Sequence, residues 1–163
     1  MTAAFAHSLT LPLPEDTAAL AACIAPRLGP GDVLLLQGPI GAGKTHFARS
    51  LIQHLLAQAD AFEDVPSPTF TLVQTYEAGD LEIWHADLYR LSHPDDVIEL
   101  GLIDAFESAL CLVEWPDRLA DLTPPGALVL GFAANADDSR ALTIASDDPR
   151  WAATLKGCLD DTA

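Results

Sequence analysis

Residues 38–45 read Gly-Pro-Ile-Gly-Ala-Gly-Lys-Thr. The pattern G-x-x-x-x-G-K-T limits the possible folds more than any other stretch of this chain, because it works only between a strand and a helix. Both flanks fit. Asp32 to Gln37 is a short apolar run suited to a buried strand. After the loop, apolar residues at 47, 48, 51, 52, 55 and 56 recur at helical spacing. Glycines 38, 41 and 43 lack a Cβ, so main-chain N–H groups can turn inward and approach phosphate oxygens. The following helix directs its positive end at the same anion. Lys44 is expected along the β- and γ-phosphates, and the Thr45 hydroxyl on Mg²⁺.

The rest of the chain supplies the surrounding layers. A total of 163 residues, half of them hydrophobic, predicts one globular domain with a proper core. Phe5 to Leu11 reads as an edge strand broken by Pro12 and Pro14. Glu15-Asp16-Thr17 opens a helix to about Leu28, ended by Gly29-Pro30-Gly31. A loop is expected over 60–68. Phe70 to Glu77 and Leu81 to Leu88 then form a β-hairpin through Ala78-Gly79-Asp80, with Leu81, Ile83, His85 and Asp87 on one face. Short helices follow near 93–100 and 102–108, then the apolar strand Ala109 to Val113 and a helical turn at 116–119. Strands at 128–133 and 140–145 and a closing helix over 148–159 complete the chain. The fold class is α/β: a P-loop NTPase-like mixed sheet flanked by helices, with a hairpin inserted after the phosphate-loop helix.

A phosphate loop needs an acidic partner for Mg²⁺ or its waters, placed at the end of a neighbouring apolar strand. Two residues qualify. Glu114 follows five uncharged residues, and Asp87 ends the second hairpin strand. Thr69 either reaches Mg²⁺ or the γ-phosphate from a moving loop or caps the next strand. Trp115 either stacks on a base or a partner or belongs to the core. His85 reads as structural.

Composition narrows the function. Eight Lys+Arg against 24 Asp+Glu give a net charge of −16. Such a surface repels nucleic-acid phosphates, so any RNA would be held by another subunit, and no DNA contact is expected. No apolar run is long enough for a bilayer span, and no secretory signal is visible, so a cytoplasmic location is expected. Cys23, Cys111 and Cys158 read as reduced, mostly buried thiols. No Asn-Lys-x-Asp element is present, which favours adenine over guanine. Beyond Lys44 the cations are scattered: Arg27, Arg49, Arg90, Arg118, Arg140, Arg150 and Lys156. A kinase would gather arginines over the triphosphate. Weak hydrolysis completed by a partner fits better. A small-molecule P-loop kinase and a nucleotide-dependent binding module without useful turnover remain the alternatives.

Five elements occur in a fixed order: the phosphate loop, Ser67-Pro68-Thr69-Phe70-Thr71-Leu72-Val73, His85-Ala86-Asp87-Leu88-Tyr89-Arg90-Leu91, Glu99-Leu100-Gly101, and Leu112-Val113-Glu114-Trp115-Pro116. The ordered set resembles the TsaE (YjeE) family, small bacterial P-loop ATPases of tRNA threonylcarbamoyladenosine formation. The resemblance implies ATP hydrolysis that supports a TsaB–TsaD complex acting on adenosine 37 of ANN-decoding tRNAs. It places Gly41, Ala42, Gly43, Lys44 and Thr45 on the phosphates, with His46 next to them. It places Thr45 and Glu114 on Mg²⁺ and Asp87 in catalysis or in positioning metal-bound water. Trp115 and Arg140 match nucleotide contacts, and the Glu15–Thr17 segment would touch adenine. One position departs: the family loop usually carries an acidic residue where this chain has Pro39, which also removes one N–H donor.

Overall fold

The structure, a computed structural model, describes residues 4–159. Seven strands form one sheet: β1 (Phe5–Leu11), β2 (Val33–Gln37), β3 (Val73–Ala78), β4 (Leu81–Asp87), β5 (Leu110–Glu114), β6 (Leu128–Ala134) and β7 (Arg140–Ser146). Their spatial order is β1-β7-β6-β2-β5-β4-β3. The central strands β6, β2, β5 and β4 run parallel, while the β1–β7, β6–β7 and β3–β4 pairs are antiparallel. The sheet is therefore mixed, with the expected edge strand and hairpin at opposite ends.

Strand alternation sorts the core into two faces. Leu34, Leu36, Leu110, Leu112 and Ile83 face α1 (Pro14–Ile24) and α2 (Lys44–Gln58), where Leu20, Ile24, Phe47, Leu51 and Ile52 meet them. All six apolar positions anticipated on α2 are buried. Val33, Leu35, Ala86, Cys111 and Val113 face the other way, toward α3 (Asp95–Glu99), α4 (Leu102–Ser108) and Leu119. Each fully buried Leu or Ile contributes roughly 1.5–3 kcal/mol of transfer free energy.

Several element boundaries and one covalent feature differ from the sequence reading. Helix α1 ends at Ile24 and tightens to a 3-10 turn over Ala25–Arg27, because Pro26 brings no N–H to an α-helical ladder. The first hairpin strand begins at Val73, not Phe70. Leu72 sits at φ 69° and donates its N–H to the Pro68 carbonyl, so 68–72 forms a turn. The closing helix α5 is short (Arg150–Thr154), and the chain beyond it turns through Gly157 at φ 90°. The expectation of three reduced cysteines is corrected: Cys23 and Cys158 are joined as a disulfide, and Cys111 alone is free and buried. The pair lies 135 residues apart in sequence and meets only because the C-terminal segment packs into the α1–α2 face.

Candidate active site

The loop between β2 and α2 has the geometry its glycines require. Gly38, Gly41 and Gly43 take φ 138°, 81° and 112°, the region that side chains disfavour. A Cβ on Gly38 would stand 2.4 Å from the Phe132 carbonyl oxygen, so only glycine lets the loop leave β2 beside β6. Lys44 begins α2 and is 4% exposed. Its ammonium donates to the Gly38 carbonyl and rests over the Trp115 ring, 3.5 Å from the centroid. Burial lowers the Lys44 pKa below the ordinary lysine value, while Glu114, Asp87 and Asp117 pull it back toward the charged form.

Parallel pairing puts the acids beside that loop. Glu114 pairs with Leu36 on β2 and with Asp87 on β4, so both carboxylates end adjacent strands. Both are buried. Glu114 Oε1 accepts the Thr45 hydroxyl at 2.7 Å, and Oε2 meets His85 Nε2 at 2.7 Å. Asp87 Oδ1 accepts the Tyr89 N–H at 2.9 Å, and Oδ2 accepts the Thr69 hydroxyl at 3.3 Å. The turn at 68–72 thus delivers Thr69 to Asp87, and Ser67 bonds Thr69 at 2.8 Å. Trp115 follows Glu114 at φ 58°; its ring packs on Tyr89 with centroids 4.7 Å apart.

Gly41, Gly43, Lys44, Thr45, Thr69, Asp87, Tyr89, Glu114 and Trp115 line one cleft of about 610 Å³. Leu11, Leu13, Pro14 and Thr17 form a largely apolar wall, and Ile40 and Asp138 line the cleft from the connections after β2 and β6. His46 meets the Pro14 carbonyl at 3.0 Å, tying α2 to that wall. Arg140 donates to the Gly41 carbonyl at 3.4 Å and to the Asp138 carbonyl at 2.8 Å. Lys44 and Arg140 are the lysine and arginine side chains among the lining residues.

The family model of TsaE, "Threonylcarbamoyl adenosine biosynthesis protein TsaE", matches residues 11–142, most of the chain and all of these cleft elements. This chain belongs to the TsaE family. It is 38% identical over 135 residues to a TsaE of Rickettsia conorii, covering 83% of this chain and 75% of that protein. It is 36% identical over 139 residues to the TsaE of Bacillus subtilis, covering 85% and 84%. The crystal structure of Bacillus subtilis YdiB superposes with a TM-score of 0.78 at 28% identity, covering 98% of this chain and 97% of that one. The fold is that of this P-loop family.

Gly41, Gly43, Lys44, Thr45, His46, Thr69, Asp87, Glu114, Trp115 and Arg140 all line the TsaE cleft in this chain. Two anticipated residues stand apart. Ala42 is a buried residue of the loop, with its N–H bonded to the Pro39 carbonyl at 3.2 Å. Glu15 is exposed and does not line the cleft; its neighbours Pro14 and Thr17 do. Leu13, Ile40, Tyr89 and Asp138 line it without having been singled out. Tyr89 had a signal in its place two residues after Asp87. The others lie in loops whose meeting only the folded sheet determines.

A magnesium nucleotide fits this donor set. No cluster of three or more His, Cys, Asp or Glu side chains suited to a metal is formed among the described residues. Magnesium does not need one: it keeps waters and uses one or two protein oxygens together with substrate phosphates. Thr45 and Glu114 supply such oxygens beside a glycine cradle and a lysine.

Proposed function

We propose that this chain binds ATP with Mg²⁺ and hydrolyses it, weakly alone, as the subunit that supports a TsaB–TsaD complex forming N6-threonylcarbamoyladenosine at position 37 of tRNAs reading ANN codons. The supporting observation is the Thr45–Glu114 hydrogen bond in a cleft that also gathers Lys44 and Asp87. On this reading the main-chain amides of 41–45 and the Lys44 ammonium hold the phosphates. Thr45 and Glu114 hold Mg²⁺, with Asp87 on its waters or on the attacking water. Bound Mg²⁺ supplies charge neutralisation on the phosphate oxygens. The Asp87 carboxylate, fixed by the Tyr89 N–H and the Thr69 hydroxyl, would orient water. The wall of Leu11, Leu13, Pro14 and Thr17, with Arg140, would receive the nucleoside, and Trp115 would flank the phosphate end.

Few cations reach the cleft, which favours an ATPase over the small-molecule kinase. An arginine brought by a partner contributes about 10³–10⁵ in rate. The acidic surface fits a chain that meets proteins while they hold the tRNA. We place it in the cytoplasm as one ATPase domain; no helix among the described residues is long and apolar enough to cross a membrane.

The test is phosphate release with and without purified TsaB–TsaD. Stimulation by the complex, abolished by Glu114→Gln, is the expected result. A complex that neither binds nor stimulates the chain overturns the assignment. Glu114→Gln and Asp87→Asn variants that alter complex formation but leave phosphate release unchanged establish the binding module instead.

A further inference from the structure

His85 is fully buried on β4, two residues before Asp87 and on the same face. Neutral imidazole has two ring nitrogens that seek partners. Nε2 has one, the Glu114 carboxylate at 2.7 Å, while Nδ1 is buried with no hydrogen-bond partner. A carboxylate oxygen only accepts, so Nε2 carries the donated hydrogen. As filling for the α1–α2 face, beside Ile83 and Leu112, a leucine would serve with less desolvation. The satisfied half of this ring therefore points to its use.

Glu114 has two oxygens and two partners. Thr45 takes Oε1 and His85 takes Oε2. Without the His85 contact the carboxylate could rotate about its terminal bond and present either oxygen, or both, to the loop. With it, one oxygen is held back and the other is aimed at the hydroxyl that begins α2. From this geometry we infer that His85 is a positioning residue for the cation site: it fixes the Glu114 carboxylate so that a single oxygen, Oε1, is offered beside Thr45. The inference rests on the magnesium-nucleotide reading of the cleft. It concerns a hydrogen bond, not a change of charge on the ring. Groups that orient a metal ligand from behind shift metal affinity by about 10–100-fold when removed.

The experiment compares His85→Leu, which has no donor, with His85→Gln, whose amide can reach as far as Nε2, and His85→Asn, which is polar but shorter. Three quantities are read on the full chain. They are ADP affinity without divalent ion, the Mn²⁺ or Mg²⁺ concentration that half-saturates the nucleotide complex, and the thermal unfolding midpoint. The expected result is ADP affinity within about twofold of wild type in all three, with half-saturation raised about tenfold or more in Leu and Asn. Gln should return to within about threefold of wild type. Cation half-saturation that is unchanged in Leu and Asn, or shifted equally in Gln and Asn, overturns the inference. If the Leu variant does not fold, the Gln–Asn comparison decides alone. A wild-type chain that binds ADP but gains nothing from divalent ion overturns the cation reading of the cleft and takes this inference with it. Normal cation dependence in wild type with no Gln–Asn difference removes only the role of His85.

Discussion

The two faces of the central strands are built from the same alternation and end differently. Toward α3 and α4, β2 and β5 present Val33, Leu35, Cys111 and Val113, apolar to the last residue. Toward α1 and α2, the same strands present Leu34, Leu36, Leu110 and Leu112, and then Glu114. On β4 the series is Ile83, His85 and Asp87. Among the described residues, buried carboxylates are thus confined to one face and to the strand ends nearest the phosphate loop. A buried carboxylate is tolerable only where donors meet it. Here the Thr45 hydroxyl, the His85 ring, the Tyr89 amide and the Lys44 ammonium are available, and the other face has no such set. The comparison separates the residues that make the fold stable from those that give the cleft its chemistry.

The strongest way to break that separation is Lys44→Ala. Loss of the ammonium should lower phosphate release by about 10²–10³, the usual scale for one electrostatic group at a reacting centre. Nucleotide should also stop raising the melting temperature, since a ligand stabilises only what it binds. Unchanged turnover would detach the loop from the chemistry. On the apolar face, Leu35→Ala should reduce unfolding free energy by about 2–5 kcal/mol in a denaturant titration. Nucleotide affinity should stay within twofold, and a larger fall would mean the faces are not independent.

The next effect tests a link distant from the cleft. Cys158→Ser should cost about 2–4 kcal/mol of stability under oxidising conditions, through the long loop the bond closes. Phosphate release at 25 °C should be unaltered. Alkylation of the purified protein, followed by mass measurement, should leave Cys23 and Cys158 unmodified until a reductant is added. The effect that is smallest near neutral pH concerns Cys111. Burial pushes its thiol up to about 12 from an ordinary 9.0. A folded pKa above the unfolded one means the folded state holds the proton longer. The resulting stability is fully present below pH 9 and is lost as pH climbs from 9 toward 12. Cys111→Ala should flatten that part of the stability–pH curve relative to wild type.

What was readable in the residues follows the distance over which each feature is decided. The β2–loop–α2 unit is local: glycine spacing, an apolar run and a helical stripe lie within 25 consecutive positions. The hairpin is local too, and Gly79 turns it. Glu114 was identifiable as a charge flush against an apolar run and Asp87 as the end of the second hairpin strand, although only parallel pairing makes them neighbours. Leu13, Ile40 and Asp138 carry no pattern of their own, and their presence at the cleft is a property of the sheet order. Cys23 and Cys158 have a spacing without meaning until the C-terminal segment returns to α1. Phe70 to Leu72 has strand composition, yet the Leu72–Pro68 hydrogen bond prevailed and turned that stretch into the arm that carries Thr69.

Gly38 has a consequence that reaches past its own turn. Because the adjoining β6 carbonyl leaves no room for even a methyl group, the first bend of the cradle is cast when the sheet forms. On the proposed function, an incoming nucleotide would find that bend already set, and less conformational freedom would have to be surrendered on binding. An alanine there would strike sheet and cradle together, harming solubility and affinity in a single stroke.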